Sequence, residues 1–285
     1  MKYLAPFLLL FSFSVLVHAQ NNTEVYLFDI EEDLSLSNPV NISNNTGYDN
    51  QPSITPDGKT VLFASTRNDQ TDILWYDIDS GSKTWLSDTP GGEYSPILMP
   101  DGKHISAVRL DPDGLQRLYK YPIKKEASEV IIPDLVVGYY LWYNPTQLIA
   151  FVLGDPQTLQ EIDVASNTIE IPYENPGRSI HKIPDTQKYS FIDKSSSDSW
   201  IIMQTIPGSK NSTKEITPTL PLSEDMVWLN ETTILMGKDS RLFYFDIEAK
   251  SKKWQLFADL SKYSLTGISR LAVGNNKLAV VVSGK

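Results

Sequence analysis

Two stretches of this chain carry the same turn at nearly the same place in the same pattern. "QPSITPDGKTVLFAS" begins at Gln51 and "SPILMPDGKHISAV" at Ser95, so Pro-Asp-Gly turns fall at Asp57 and Asp101. Looser versions follow, with Pro145, Asp185, Asn230 and Asn275 in the Asp place, so the period stays at 40 to 45 residues. Each copy has apolar residues before the turn and a β-branched run after it, which is the pattern of a hairpin. Pro supplies a preset φ, while Asp and Gly meet the remaining demands of a tight turn. A second hairpin follows about 20 residues on in each copy, most clearly in "DILWYDIDSGSKTWLS" and again in "RLFYFDIEAKSKKWQLF".

The two ends of the chain complete the count. "EVYLFDIEEDLSLSNPVNIS", near the N-terminus, is a second hairpin with no first hairpin before it, and "VGNNKLAVVV" near the C-terminus is a first hairpin with no second after it. A four-stranded meander cannot cover both of its own faces, but the same meanders arranged radially cover one another. The expected fold is therefore all-β, a six-bladed β-propeller. Glu24 to Ser43 supplies the outer strands of the closing blade, and Leu271 to Ser283 its inner strands. No window shows sustained helical periodicity, and 18 Pro and 15 Gly punctuate the chain at short intervals.

The block Pro52 to Lys59, with "FASTRND" (Phe63 to Asp69) and "DILWYDIDSG" (Asp72 to Gly81), resembles the TolB-like propeller repeats, also called PD40 or WD40-like repeats. The likeness is strong over roughly 80 residues, and beyond them the spacing is kept while the signature fades. It implies a six-bladed ring in an exported bacterial protein. TolB holds protein partners on its propeller, so the implied role is partner binding. Arg67 and Asp69 belong to this signature and are expected to be structural, with Arg67 pairing an acidic neighbour across its blade. Asp77 and Asp246 end strands and are expected to shape turns.

Residues 1–19 stand apart. Lys2 precedes the apolar run "LAPFLLLFSFSVLV" and then "VHA", which is the layout of a cleaved secretory signal. The run is shorter than a spanning helix requires. The expected organisation is a signal peptide over 1–19 and the propeller over 20–285, in a periplasmic or secreted protein. The chain has no cysteine, so it holds together by packing without disulfides. Its net charge of −10 argues against nucleic acid as a partner and against an anionic membrane surface. The expectation is a monomer with no membrane insertion and no cofactor.

In such a ring each innermost strand runs down to its Pro-Asp-Gly turn, so the loops leading into those strands converge on the opposite face. Convergent loops on a rigid scaffold are the usual seat of function. Those loops offer Tyr48, Asp49, Asn50, Glu93, Tyr94, Tyr139, Tyr140, Arg178, His181, Glu224, Asp225 and Arg270. Tyrosine brings wide contact area with a polar tip, and these twelve are the expected partner-binding residues. His181 falls in an inner strand, where it is expected to be a packing residue.

Chemistry motifs are few. There is no Gly-x-Ser-x-Gly, a cysteine nucleophile is impossible, and only His104 and His181 lie beyond the leader, too few for a multi-histidine metal site. The favoured expectation is a non-catalytic propeller that binds a protein, peptide or glycan. The alternative is a glycan- or lactone-acting enzyme. It would draw paired carboxylates from Asp49, Glu93, Glu224 and Asp225, with or without Ca²⁺ held by Asp49, Asn50 and Asp225.

Overall fold

A computed structural model describes residues 22–124, 127–209 and 211–284. The leader expected over residues 1–19 lies outside them. The described chain forms six antiparallel four-stranded sheets, the blades of one propeller. The innermost strands of blades 1 to 5 are Asp49–Ile54, Gly92–Leu98, Val137–Trp142, Pro176–Lys182 and Met226–Trp228. The sixth blade is shared between the termini: Arg270–Gly274 and Lys277–Ser283 lie inside, Thr23–Ile30 and Leu36–Asn41 outside. Val25 pairs with Val281 and Tyr26 with Val280, so the ring is latched as its terminal hairpins imply.

Strand periodicity explains how a blade serves two neighbours. The second strand of each blade is flanked by sheets on both faces, so it reads as an unbroken apolar run such as "TVLFAS", "QLIAFV" and "KLAVVVS". Alternate side chains then go to opposite seams. In Thr60–Arg67, Val61 and Phe63 join Val25, Ala279 and Val281 on one side. Leu62 joins Ile105, Ala107 and Tyr119 on the other. The described core divides into clusters of this kind, each bridging adjacent blades. The fourth strands face outward and are polar or exposed, most fully in Thr168–Glu174.

The recurrent turn works as its residues require. Gly58 (φ 68°) and Gly102 (φ 65°) take the left-handed conformation, which costs glycine nothing. Their amides donate to Thr55 O and Met99 O at 2.8 and 2.9 Å. The Asp57 and Asp101 carboxylates accept from Lys59 N and Lys103 N at 3.1 and 2.8 Å. Blades 3, 5 and 6 reach the same end with asparagine, while blade 4 keeps Asp185. Asn144 Oδ1 accepts from Thr146 N and Gln147 N, and Asn230 Oδ1 from Thr232 N and Thr233 N. Asn275 and Asn276, both at positive φ, close the last hairpin. All six turns therefore lie at one end, and the loops leading into the inner strands at the other.

Candidate functional site at the channel mouth

Between the inner strands lies a cavity of about 320 Å³ that touches all six blades and is lined by residues such as Gln51, Tyr139, Arg178, His181, Asp225 and Arg270. Its far half is mostly aliphatic, with Ile54, Ile97, Ile180, Val227 and Val273 beside Ser53, Ser179 and His181. Ile54 closes on Gly274 so tightly that a Cβ there would stand 2.9 Å from Ile54 Cβ.

The near half is a charged network. Arg270 spans the channel: Nη1 donates to Asp225 Oδ2 and Nη2 to the Tyr139 hydroxyl, both at 3.1 Å. Its guanidinium also lies 5.2 Å from the Tyr139 ring centre. Asp225 Oδ1 accepts from Leu271 N at 2.8 Å. Burial pushes the Asp225 carboxyl above the usual range, while the charge of Arg178 and the Leu271 amide oppose that rise. One blade over, Glu224 accepts from Arg178 N at 2.9 Å through Oε1 and pairs with Lys194 at 3.2 Å through Oε2. Arg178 Nη2 donates to Ser269 O at 3.3 Å. Arg178 Nε and Ser269 Oγ are buried without a hydrogen-bond partner. His181 Nε2 lies 3.1 Å from Ser179 Oγ, and burial pushes its ring down to about 4, so it is neutral at pH 7. Tyr48 and Tyr94 meet edge to face, ring centres 6.1 Å apart, and Tyr48 is close enough to Arg178 to feel its charge, while burial pushes its phenol above the usual range.

No protein-family model matches the chain, and no curated protein matches it. Solved structures do. A TolB-like protein from Agrobacterium tumefaciens superposes with a TM-score of 0.69 at 13% identity, covering 93% of this chain and 99% of its own. In fold, this chain is a TolB-like propeller. TolB from Acinetobacter baumannii gives a TM-score of 0.59 at 12% identity, and the match covers 93% of this chain and 64% of that protein. The same architecture recurs in a nidogen/laminin complex (TM-score 0.66, 11% identity, covering 89% of this chain and 99% of that one). It recurs again in an oligogalacturonate lyase in complex with manganese (0.56, 12%, covering 90% and 82%).

The propeller brings Tyr139, Tyr140, Arg178, His181, Asp225 and Arg270 to its channel wall. Within that group Tyr140 is largely a seam residue. Its hydroxyl donates to Ser106 Oγ at 2.9 Å and lies 3.0 Å from Ser95 O, and the side chain is buried. Asp49 and Glu93 depart from the expected ring of carboxylates, because both are fully buried inside the wall of the propeller. Asp49 accepts from Ser65 Oγ, and burial pushes it up to about 6. Glu93 accepts from Ser87 Oγ at 2.8 Å, from Thr89 Oγ1, and from the Tyr121 hydroxyl at 3.2 Å. Asn50 is buried as well, its carbonyl accepting from Gln51 N. The imagined Ca²⁺ set of Asp49, Asn50 and Asp225 is therefore split between wall and channel. Among the described residues, no group of three or more His, Asp and Glu side chains is placed to hold a metal ion.

Arg67 is held as a structural residue. Its Nε donates to Asp72 at 2.8 Å, its Nη2 to Ser87 O, and its guanidinium covers the Trp85 ring at 4.5 Å. Asp77 and Asp246 cap their turns, accepting from Ser80 N and Glu248 N. Three contributors escaped the sequence reading of the site: Gln51, Lys194 and Ser269. Lys194 follows a second strand, in one of the loops that share the mouth face, and its contact with Glu224 depends on the turn between blades 4 and 5 rather than on local spacing.

Proposed function

We propose that this chain is a non-catalytic binding propeller, exported by its N-terminal leader, that engages a protein or peptide partner with its channel mouth. The observation that carries this reading is the state of the mouth's acids. Both oxygens of Asp225 and both of Glu224 are already taken by N–H donors or cations. Glu93 is sealed in a seam by three hydroxyls, and Asp49 is buried against Ser65. A glycosidase needs one carboxyl free to give a proton and another free to attack or activate water. The mouth instead presents tyrosine rings and arginine, the side chains that recur at interface hot spots. Propellers of this shape occur in TolB and in the nidogen/laminin complex, in keeping with a protein partner. The lyase neighbour is described with manganese, and His181 is the one histidine that lines this channel among the described residues.

Photo-crosslinking tests the reading. Benzoylphenylalanine placed at Tyr94, on the mouth face, is expected to give a discrete protein adduct in an extract of the source cells. The same probe at Lys103, in an exposed turn of the opposite face, is expected to give none. Equal labelling from both faces, or adducts from Lys103 alone, overturns the assignment of the mouth as the partner face.

A further inference from the structure

We propose that the channel mouth holds a carboxylate of its peptide partner on Arg178 and Ser269, with a neighbouring aliphatic side chain of that peptide seated in the throat below. The inference rests on the partner-binding reading above and gives that site a ligand chemistry.

Arg178 and Arg270 make the case by contrast. Arg270 has a carboxylate at 3.1 Å. Arg178 hydrogen-bonds an acid only through its backbone N–H; its guanidinium charge is felt by Asp225 without a direct contact, and its one hydrogen-bond acceptor is a carbonyl, Ser269 O. Its Nε has no acceptor, and neither does the adjacent Ser269 hydroxyl a partner. A buried donor left unmade costs about 1–3 kcal/mol, and two beside each other mark a place where an acceptor is missing. The protein cannot supply it, since Glu224 and Asp225 are committed elsewhere. The channel wall carries two arginines against one carboxylate, on a chain whose net charge is −10. The neutral His181 does not alter that balance. An anion entering the mouth thus meets local positive charge and unused N–H and O–H donors. A carboxylate matches the planar guanidinium fork. The Nε edge is closed to water in the free protein, so presenting it to a carboxylate requires rotation about the Cδ–Nε bond, which carries the planar guanidinium round as a unit.

The throat selects peptide over sugar. At about 320 Å³ the cavity is at the small end of ligand pockets. Ile54, Ile97, Ile180 and Val227 form most of its lower wall, which Ser53, Ser179 and His181 also line. A sugar ring pressed there would have more hydroxyls than these few polar groups can pair, and the rest would lie against hydrocarbon. A leucine-sized side chain beside an acidic residue fits both halves.

The test uses three probes on the folded protein: N-acetyl-Leu-Asp-amide, N-acetyl-Leu-Asn-amide and D-galacturonate. Readouts are calorimetry and the ¹⁵N–¹H resonance of Arg178 Nε. The aspartyl probe is expected to shift that resonance saturably and to bind about tenfold tighter than the asparaginyl probe. Arg178→Gln, checked for an unchanged thermal melt, is expected to remove the difference between the two. Equal binding of both peptides by the wild-type protein overturns the carboxylate subsite, as does no binding of any probe. Saturation by galacturonate with none by the aspartyl peptide overturns the peptide assignment. If the aspartyl probe fails while the Tyr94 crosslink persists, the subsite falls and the partner face stands. If the probe binds Arg178 but the mouth captures no protein, the reverse holds.

Discussion

Glu93 and Asp225 both lie at the threshold of an inner strand, and the fold puts them to opposite uses. Glu93 is turned into the seam between blades 1 and 2, where three hydroxyls surround it and no cation touches it. Burial, aided by the nearby Asp72 charge, pushes it up to about 7. Asp225 precedes an inner strand only three residues long and is free to reach across to blade 6, where it takes Leu271 N and Arg270. The first acid is a strut between blades. The second positions a channel arginine. Acidic residues at equivalent thresholds therefore divide by where the backbone points them, into those that hold the ring and those that tune its opening. The predictions below probe residues that hold the ring and residues that shape its mouth.

The largest effect is expected at the closing seam. Val281 is 0% exposed and paired with Val25 in the sheet that joins the two ends of the chain. Val281→Asp buries an unpaired charge and is expected to cost about 4 kcal/mol or more in urea unfolding. A loss below about 1 kcal/mol would mean that the terminal hairpins do not close the ring. Next comes Glu93→Ala. It strips the acceptor from Ser87, Thr89 and Tyr121 and leaves a void, for an expected loss of about 2–3 kcal/mol. Partner capture through Tyr94 is expected to survive in that variant at temperatures where it stays folded. If Glu93→Ala abolished crosslinking while leaving the urea midpoint unchanged, the division between strut and mouth would be wrong.

The ring and its two faces were legible in the sequence because each depends on local signals: a turn every 40 to 45 residues, alternation along strands, and unmatched hairpins at the ends. The environment of each threshold residue was less so. Tyr139 and Tyr140 are neighbours in one strand, yet Tyr139 reaches Arg270 while Tyr140 is bonded into blade 2. A register shift between Val137 and Tyr139 sets which of them faces the channel, and a bulge of that kind has no reliable mark in the sequence. The burial of Glu93 did leave a trace, in Ser87 and Thr89 shortly before it, but hydroxyls in a loop look the same whether they meet water or a carboxylate. The unpartnered Arg178 Nε depends on atoms from blades 4, 5 and 6 at once, and no spacing rule reaches that far.

The pH response sharpens the same contrast. For Glu93 the folded protein keeps a proton that the unfolded chain releases, since its value rises from 4.5 to about 7. Its contribution to stability is therefore complete below about pH 4.5 and fades as pH climbs to about 7. Asp49, raised to about 6, acts in the same sense. The exposed turn acids act in the opposite sense at lower pH. Asp259, lowered to about 2 by Ser261 and Arg241, stabilises the fold above its unfolded value and loses that effect as pH falls toward 2. Chemical denaturation across pH 3 to 8 is expected to show a maximum near pH 4 to 5. Glu93→Gln is expected to flatten the descent between pH 5 and 7 by about 1–2 kcal/mol. An unchanged slope in that variant would mean that Glu93 is ionised in the folded state at neutral pH.

The smallest stability effect is expected where the binding effect is largest. Arg178→Gln removes a guanidinium that makes one hydrogen bond, to Ser269 O, and keeps the backbone N–H on which Glu224 rests. It also takes away a buried donor with no acceptor. The two changes nearly cancel, so the urea midpoint is expected to move by no more than about 0.5 kcal/mol. Arg270→Gln makes the paired control. It breaks the link to Asp225 and to the Tyr139 hydroxyl and leaves a buried carboxylate without its cation, for an expected loss of about 1–3 kcal/mol. If Arg178 proved as costly to replace as Arg270, its charge would already be satisfied within the fold, and nothing at the mouth would be waiting for an outside acceptor.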